Sequence, residues 1–507
     1  MSLQDLSNEL LTRIFDSCDT KSIQNFRLAS NQRLCKVANR HLIRELSIYY
    51  NYESLQLLET LAATTSTHQE EEFAKGIRAI WLQANRFHRL LSYQEWNIKR
   101  REMEREEGDA ALSDMSMTTD SPAKMLEGGG ESSRIIGESE VESSSSQADR
   151  IDQEQLDREY AYYSELYTQQ CALDSSDTLR QKSAALFKVC PKLKSVWVTS
   201  GDAVRRNTTE RSAAFRRGVV LPHGSNGPDH SKSIHCSSQL LLGALDAGTH
   251  LETIVLGDVN YHFLVQDTTL RSNFGKMLQH AKHFQWNIGQ SIFDETQQID
   301  NFDDDELVEM HAIFNRGHLS NFLAKATNLQ TLVIKFPYIP YYMLDHIDLG
   351  KAMGGSGGGL HFPLLRSLTL GSISTTPEAL ETFLLRHKAT LTRLRLCDLR
   401  IEEEEQTGWQ TCFSNLGGKF PYLEHMALRG EFRHGDTVTH TFSLGTGELA
   451  VYPFSTRMEK FMITGGEAVP EPSEVLDEEY ILLSRERFLD FAPEIQPEGR
   501  DLSWILS

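Results

Sequence analysis

The chain has 507 residues, a formal net charge of -20 at pH 7 and 39% hydrophobic residues. This length exceeds the roughly 250 to 300 residues at which one hydrophobic core stops growing, so we expect several units or a repeat array. No run approaches the roughly 18 apolar residues of a membrane span, and the start lacks a signal-peptide pattern, so we expect a cytoplasmic or nuclear protein. The negative charge argues against nucleic-acid binding.

The cysteines give no sign of a cross-linked or zinc-ribbon protein. Seven cysteines are scattered along the chain, and they never form a CxxC pair. An odd, scattered set fits reduced thiols and argues against a disulfide framework.

The first predicted element is an amphipathic helix in the stretch LSNELLTRIFDSC, residues 6–18. Between Leu10 and Cys18 its apolar residues fall at i, i+1, i+4, i+5 and i+8, which is helical spacing. Ser7 or Asn8 is suited to begin this helix because both side chains accept hydrogen bonds from free backbone N–H groups. Two more short helices are predicted before about residue 44, and three such helices make only a small core.

This region resembles an F-box, whose pattern begins Leu-Pro-x-Glu-Leu-Leu. The matching residues are Leu6-Ser7-Asn8-Glu9-Leu10-Leu11, Ile14-Phe15, Ile23 and Phe26-Arg27-Leu28-Ala29-Ser30-Asn31. The resemblance covers about residues 3–48, and Ser7 stands where the family usually has Pro. F-box helices bind the small adaptor subunit of SCF-type cullin-RING ubiquitin ligases, so the resemblance implies that partner. The residues implied in docking or its support are Leu6, Ser7, Leu10, Ile14, Phe15, Ile23 and Leu28. The alternative is a helical cap whose apolar side faces the rest of this chain.

After these helices, one pattern recurs, apolar-x-x-apolar-x-apolar. Its clean copies are Ile43-Leu46-Ile48, Ile77-Ile80-Leu82, Leu193-Val196-Val198, Leu251-Ile254-Leu256, Leu329-Leu332-Ile334, Leu365-Leu368-Leu370, Leu391-Leu394-Leu396 and Leu423-Met426-Leu428. Weaker copies are His283-Trp286-Ile288 and Met458-Phe461-Ile463. The last two apolar residues of each copy lie two apart, so they share one side of a short strand. Segments between copies, such as 238–246 and 377–386, are predicted helices.

One strand and one helix per repeat stack into a solenoid in which each repeat buries its face on its neighbours. The pattern resembles a leucine-rich-repeat protein, and its combination with an F-box resembles fungal F-box proteins. We therefore predict an α/β fold: a three-helix F-box-like unit at 1–48, then an irregular leucine-rich-repeat-like solenoid over 43–465, with parallel short strands and helices on the convex side. The alternative is an ordinary α/β domain, since crossover helices between parallel strands look similar locally.

Two inserts and a tail interrupt or follow the predicted solenoid. Residues 101–150 are acidic and Ser-rich with few large apolar side chains, so we predict disorder there. Residues 203–233 form a basic loop in an otherwise acidic chain. The acidic tail, 466–507, contains apolar residues from 480 to 491 that predict a helix capping the last repeat.

We predict no enzyme, cofactor or metal. Ser356 matches the GxSxG nucleophile motif, but it lies in a glycine run without the strand and helix that this motif needs. A hydrolase using Ser356 is therefore a weak alternative. His223, His230, His235 and Cys236 lack a regular ligand spacing for zinc.

Binding is the main functional hypothesis: a substrate-recruiting adaptor of a ubiquitin ligase whose repeats hold a target protein. Residues two and four positions after the first apolar residue of each copy should face the target: Trp81, Trp197, Gln285, Asn287, Thr331, Thr369, Arg393, Arg395 and His425. Because Trp and Arg are common interface anchors, Trp81, Trp197, Arg393 and Arg395 are the predicted target-binding residues. Burial of the two tryptophans is the alternative for them. For the whole chain, the alternative is a repeat scaffold that joins no ligase, and the target's identity stays open.

Overall fold

A computed structural model gives the fold. It describes residues 6–16, 18, 22–25, 32–41, 43–63, 74–87, 89–102, 145–199, 230–289, 304–336, 347–354, 359–401, 408–435, 437–441, 450–451, 453–470 and 481–482. The chain divides into two compact units. The larger comprises Met1–Arg86, Leu173–Arg205 and His223–Ser507, and the smaller comprises Phe87–Ala172 and Arg206–Pro222.

Helices and strands alternate along the chain. The helices are α1 (Asn8–Asp16), α2 (Gln32–Asn39), α3 (Tyr52–Ala63), α4 (Ser145–Asp174), α5 (Thr178–Val189), α6 (His230–Asp246), α7 (Thr268–Leu278), α8 (Asp304–Asn315), α9 (His318–Leu323), α10 (Leu349–Ala352), α11 (Pro377–Arg386), α12 (Gly408–Leu416) and α13 (Pro453–Thr464). The strands are β1 (Glu45–Tyr49), β2 (Ala79–Gln83), β3 (Ser195–Thr199), β4 (Thr253–Asn260), β5 (His283–Gly289), β6 (Thr331–Lys335), β7 (Ser367–Thr375), β8 (Arg393–Ile401), β9 (His425–Arg429), β10 (Glu431–His434), β11 (Thr437–Thr441), β12 (Ala450–Val451) and β13 (Ile481–Leu482).

The larger unit is an α/β fold built on one long open sheet. Strands β1 to β8 lie side by side in the order of the chain, and each pairs with its neighbour in parallel. Both β9 and β10 pair with β8 in parallel, and β11 closes the end antiparallel to β10. The sheet therefore runs from β1 to β11 without closing on itself. The predicted α/β class with parallel strands is confirmed.

The repeated apolar pattern sets the register of the sheet. Two rows of side chains, each contributed by β1 to β9, run through the main core with the helices. One row is Leu46, Ile80, Val196, Ile254, Phe284, Leu332, Leu368, Leu394 and Met426, and the other is Ile48, Leu82, Val198, Leu256, Trp286, Ile334, Leu370, Leu396 and Leu428. All eight clean copies therefore form strands, as predicted. Burying these rows against the helices supplies the hydrophobic stabilisation of the fold.

The two weaker copies need correction. Met458-Phe461-Ile463 lies in α13 and forms no strand. Met458 and Met462 are four residues apart and both fully buried, which is the spacing of one helix face. In β5 the core rows are occupied by Phe284 and Trp286, so the predicted copy beginning at His283 is displaced by two residues.

Parts of the inserts and the tail differ from prediction. Helix α4 begins at Ser145, inside the range predicted to be disordered, and α6 begins at His230, inside the predicted basic loop. In the tail, β13 pairs with β12 where a helix was predicted. Ile481 and Leu482 are two adjacent apolar residues, and so short an apolar run suits either a strand or a helix. The remaining parts of these predictions fall outside the described residues, at 103–144, 203–229, 471–480 and 483–507.

The smaller unit is helical where it is described. A helix over 93–102 packs on α4 through aromatic rings, including Trp96 against Tyr160. The Tyr163 hydroxyl accepts the Leu91 N–H at 3.0 Å and donates to the Arg89 carbonyl at 3.1 Å. These bonds satisfy backbone groups of the segment that precedes the helix over 93–102.

Candidate interaction surfaces

Helix α1 is apolar on two sides. Leu11 and Phe15 are buried, at 0% and 2% exposure, in a small core with residues of the next two helical segments. Leu10 and Ile14 are 48% and 39% exposed. These two lie one helical turn apart, so they form a single exposed apolar stripe. One side of α1 thus closes a core, and the other is open.

The other residues implied in docking fall into three groups. Ser7 is exposed, and its hydroxyl accepts the N–H of Leu10 at 3.3 Å, which is the bond of a helix-capping serine. Leu6 is half-buried and packs on the small core, in which Ile23 is fully buried beside Phe15. Leu28 lies outside the described residues. Ser7, Leu10 and Ile14 are therefore available for contact, whereas Phe15 and Ile23 support them.

Arg44 joins these helices to the sheet. Its guanidinium donates to the carbonyls of Phe15 at 2.5 Å and Cys18 at 3.0 Å, at the end of α1, while its backbone leads into β1. The two carbonyls lie beyond the last intrahelical bonds of α1, so a cation there also complements the helix dipole. Gly76 adds a second attachment, since a Cβ there would lie 1.8 Å from the Arg40 carbonyl oxygen.

The strand residues that point away from the main core form what we call the ladder face. Three register rows cross it, and β9 contributes the last member of each. From β6 onwards the rows are Thr331, Ser367, Arg393 and His425; then Val333, Thr369, Arg395 and Ala427; then Lys335, Gly371, Cys397 and Arg429. All four predicted target-binding residues lie on this face, because alternate residues of a strand point to opposite sides.

The two predicted tryptophan anchors are buried on the ladder face. Trp81 is 2% exposed and Trp197 is 8% exposed, and with Ala79 and Val255 they form a cluster separate from the main core. The Trp81 indole N–H donates to the Thr199 hydroxyl at 2.5 Å. The pair therefore stabilises the sheet at β2 to β4, and neither ring has a large exposed surface that a partner could contact.

The two predicted arginine anchors are more accessible. Arg393 is exposed and Arg395 is half-buried. The lateral neighbours of Arg395 are Thr369 and Ala427, whose short side chains leave room for its guanidinium. The third row adds Lys335 and Arg429, which prediction from the first two rows missed. Extending the same spacing by two residues, to the sixth position after the first apolar residue, would have found both.

A backbone irregularity crosses this end of the sheet. Ser372 in β7 and Asp398 in β8 have positive φ angles of 52° and 50°, and Gly430 between β9 and β10 has φ 71°. Asp398 accepts the Glu431 N–H at 3.0 Å, and any side chain at position 430 would collide with the Asp398 carboxylate. Non-glycine residues at positive φ are uncommon, and they cluster at functional sites. Burial raises the pKa of Asp398.

A second polar cluster lies inside the larger unit, where β1 and β2 end. Arg86, 3% exposed, forms an ion pair with Asp174 and lies over the Tyr50 ring at 5.6 Å. Burial raises the pKa of Tyr50 and that of Cys236. Burial likewise raises the pKa of Cys190 to about 12. These buried thiols stay protonated and are poor nucleophiles.

Among the described residues, the candidate catalytic and metal-binding residues do not come together in one site. Ser356 and His223 lie outside the described residues, and among those described no three His, Cys, Asp or Glu side chains come together as a metal site. None of the described helices has both the length and the apolar character to cross a membrane. No protein-family model matches the chain, and no curated protein matches it. The candidate interaction sites are therefore two surfaces: the exposed stripe of α1 and the ladder face.

Proposed function

We propose that this chain is a substrate-recognition adaptor of an SCF-type cullin-RING ubiquitin ligase. The N-terminal helices dock on the small adaptor subunit of the ligase, and the ladder face holds a target protein. The observation that carries the proposal is the exposed stripe of Leu10 and Ile14 on a helix whose adjacent side, Leu11 and Phe15, is already buried. Exposed apolar side chains on a rigid element are typical of binding sites.

The sheet supports the second half of the proposal. Strands that lie side by side in chain order, each followed by a helix in most repeats, are what stacked leucine-rich-like repeats produce. A doubly wound α/β domain instead reverses its strand order at a switch point. Stacking of this kind gives a long row of side chains for contact with another protein.

The experiment is a binding assay between the purified chain and the small adaptor subunit. Leu10→Asp with Ile14→Asp should weaken binding at least tenfold, because two charges would face an apolar partner. Leu57→Asp is the matched control, since Leu57 is 44% exposed on α3, away from the stripe. Urea unfolding should be similar for all variants. A wild-type chain that does not bind, or one that binds equally well with both aspartates, contradicts the proposal.

The alternative is a repeat scaffold that joins no ligase and whose helices act as a cap. The observation favouring it is the attachment of these helices to the sheet by Arg44 and by the close approach of Gly76 to Arg40. Under this alternative the Leu10 and Ile14 substitutions leave every partner bound. The same assay therefore separates the two functions.

A further inference from the structure

Cations gather at one end of the ladder face, although the whole chain carries a net charge of -20. Lys335 on β6, Arg393 and Arg395 on β8, and Arg429 on β9 lie within the three register rows of this face, and none of them is the direct lateral partner of another. We call these four residues the cationic patch. A cluster of positive charge on an otherwise acidic chain attracts partners of opposite charge.

Gly371 lets Lys335 reach across β7. A Cβ at position 371 would lie 3.2 Å from Cγ of Lys335 and 3.8 Å from Cβ of Cys397. The Lys335 side chain therefore lies over the glycine, in the space that any other residue would fill, and extends toward β8. Without a side chain at position 371, the charges of β6 and β8 belong to one continuous surface.

The cations converge on Cys397. Burial raises the pKa of this thiol, whereas Lys335, Arg395 and Arg429 act in the opposite direction and lower it. Three positive charges on three different strands thus act on one point of the ladder face. The thiol itself stays protonated, and it shows only that the three positive charges act at the same position.

The local carboxylates do not neutralise the whole patch. Arg429 is held by Glu459, with 2.7 Å between guanidinium nitrogen and carboxylate oxygen. Asp398 accepts the Glu431 N–H, and the charge of Lys335 acts on its carboxylate without forming an ion pair. Within the described residues, no ion pair or hydrogen bond is made by the side chains of Lys335 or Arg393. Arg393 is exposed and Lys335 half-buried, so both can meet a partner.

We propose that the cationic patch binds an extended acidic segment, rich in Asp and Glu, of the target protein. The inference rests on the proposed function for the statement that the ladder face receives the target. Its chemical basis is charge complementarity, which gives a binding site its orientation and its selectivity between partners.

The spread of the charges favours an extended segment over a single phosphate. Arg393 and Arg395 are about 7 Å apart along β8, and Lys335 and Arg429 are about 14 Å apart across three strand spacings. One phosphate group is too small to contact all four. An extended peptide presents same-side residues about every 7 Å, so alternate carboxylates match the patch.

The test uses three fluorescein-labelled peptides of twelve residues and fluorescence anisotropy. One peptide has Glu or Asp at alternate positions, the second has Gln or Asn there, and the third is the second peptide with a single phosphoserine. The full-length wild-type chain should bind the acidic peptide at least tenfold more tightly than either of the others, and more weakly at 200 mM than at 50 mM NaCl.

The main variant carries Lys335→Glu and Arg393→Glu, which should weaken binding of the acidic peptide at least tenfold. The matched control carries Arg316→Glu and Lys325→Glu, two exposed residues beside α9 that give the same change in net charge. It should bind within twofold of wild type. If the main variant has a lowered urea midpoint, Arg395→Gln replaces it, with a threefold loss expected.

Several results would overturn the inference. They are equal binding of the acidic and neutral peptides, tighter binding of the phosphopeptide, and full binding of the acidic peptide by the main variant. A further variant replaces the run Glu402–Glu405, which follows β8 in the sequence, with glutamine. If peptide binds only to this variant, the patch belongs to the chain's own acidic run and the inference fails.

The assay separates this inference from the proposed function. Leu10→Asp with Ile14→Asp should leave peptide binding unchanged, and Lys335→Glu with Arg393→Glu should leave binding of the small ligase subunit unchanged. If the wild-type chain binds the acidic peptide but not the small ligase subunit, the proposed function is contradicted. If it binds the ligase subunit but not the acidic peptide, the acidic-segment inference is contradicted.

Discussion

The imidazole of His387 accepts the backbone N–H of Phe362 at Nε2, with 3.1 Å between the two nitrogens. Its other nitrogen, Nδ1, donates to the Phe383 carbonyl at 2.9 Å, so both ring nitrogens are used only if the ring is neutral. His387 is 1% exposed, and burial lowers its pKa to about 4. One buried ring thus joins the end of α11 to the turn before β7.

The first prediction is a pH dependence of stability that comes from His387. In the unfolded chain the pKa returns to its ordinary value near 6.5, so the unfolded state takes up a proton between about pH 6.5 and 4. The stabilisation is complete above pH 6.5 and is lost as the pH falls, by up to roughly 3 kcal/mol. The urea midpoint of wild type should therefore fall more between pH 7.5 and 4.5 than that of His387→Gln.

His361 supplies the control for this measurement. It is exposed, and its ring stacks near His387 with 5.6 Å between centroids. The charge of His361 makes a smaller contribution than burial to the lowered pKa of His387, so His361→Gln should keep most of the pH dependence of wild type. If His387→Gln also keeps it, the neutral buried imidazole is not the titrating group.

The second prediction concerns Gly76, where the N-terminal helices meet the sheet. Gly76→Ala would place a methyl group against the Arg40 carbonyl, so the backbone must shift, and we expect a loss of about 1–3 kcal/mol. Gly275→Ala is the matched control, because its Cβ would contact only the flexible Lys325 side chain at 3.4 Å and alanine favours the helix by about 1 kcal/mol. Thermal unfolding should move down for the first and stay or move up for the second.

Limited proteolysis adds a local measurement. Gly76→Ala should speed cleavage N-terminal to β1 more than cleavage elsewhere, since it weakens the attachment of α1 and α2. Uniformly faster cleavage along the chain would mean that the glycine supports the sheet itself instead.

The sequence predicts the sheet well because one short pattern encodes two things. The apolar residues two apart choose the buried side of each strand, as Leu394 and Leu396 illustrate in β8. The recurrence of the pattern along the chain, although at irregular intervals, predicts the stacking. The burial of Trp81 could not be predicted in the same way. Spacing fixes the side to which a ring points, but what covers that ring depends on distant segments.

Two other features depend on contacts distant in sequence. Met458 and Phe461 fit the strand pattern by chance, and only packing against the neighbouring helix and β9 makes them helical. The reach of Lys335 across Gly371 joins residues 36 positions apart, and it follows from register that no local pattern specifies. Even so, Arg393 and Arg395 were predicted, because their side of the strand follows from the spacing.

The third prediction is that the buried pair of Arg86 and Asp174 is strongly coupled. Removing one partner leaves an uncompensated buried charge, so Arg86→Met or Asp174→Leu alone should lower the free energy of unfolding by about 3–5 kcal/mol. The double variant should lose less than the sum, because both charges leave together.

An exposed ion pair gives the comparison. Arg180 and Asp246 lie 2.5 Å apart, but their side chains are 36% and 40% exposed. Removing either should change stability by less than about 1 kcal/mol. Equal effects at the two pairs, measured by urea unfolding, would mean that Arg86 and Asp174 are hydrated in solution.

The fourth prediction separates the predicted anchors of the ladder face by their effect on stability. Trp81→Ala removes a buried indole from the cluster with Trp197 and should lower the free energy of unfolding by about 3–5 kcal/mol. Thr199→Val leaves the indole N–H of Trp81 without its acceptor and should cost about 1–3 kcal/mol. Arg393→Ala, at an exposed position, should change stability by less than about 0.5 kcal/mol. If Trp81→Ala leaves the urea midpoint unchanged, the tryptophan is accessible in solution and becomes an anchor for the target, as the spacing alone predicts.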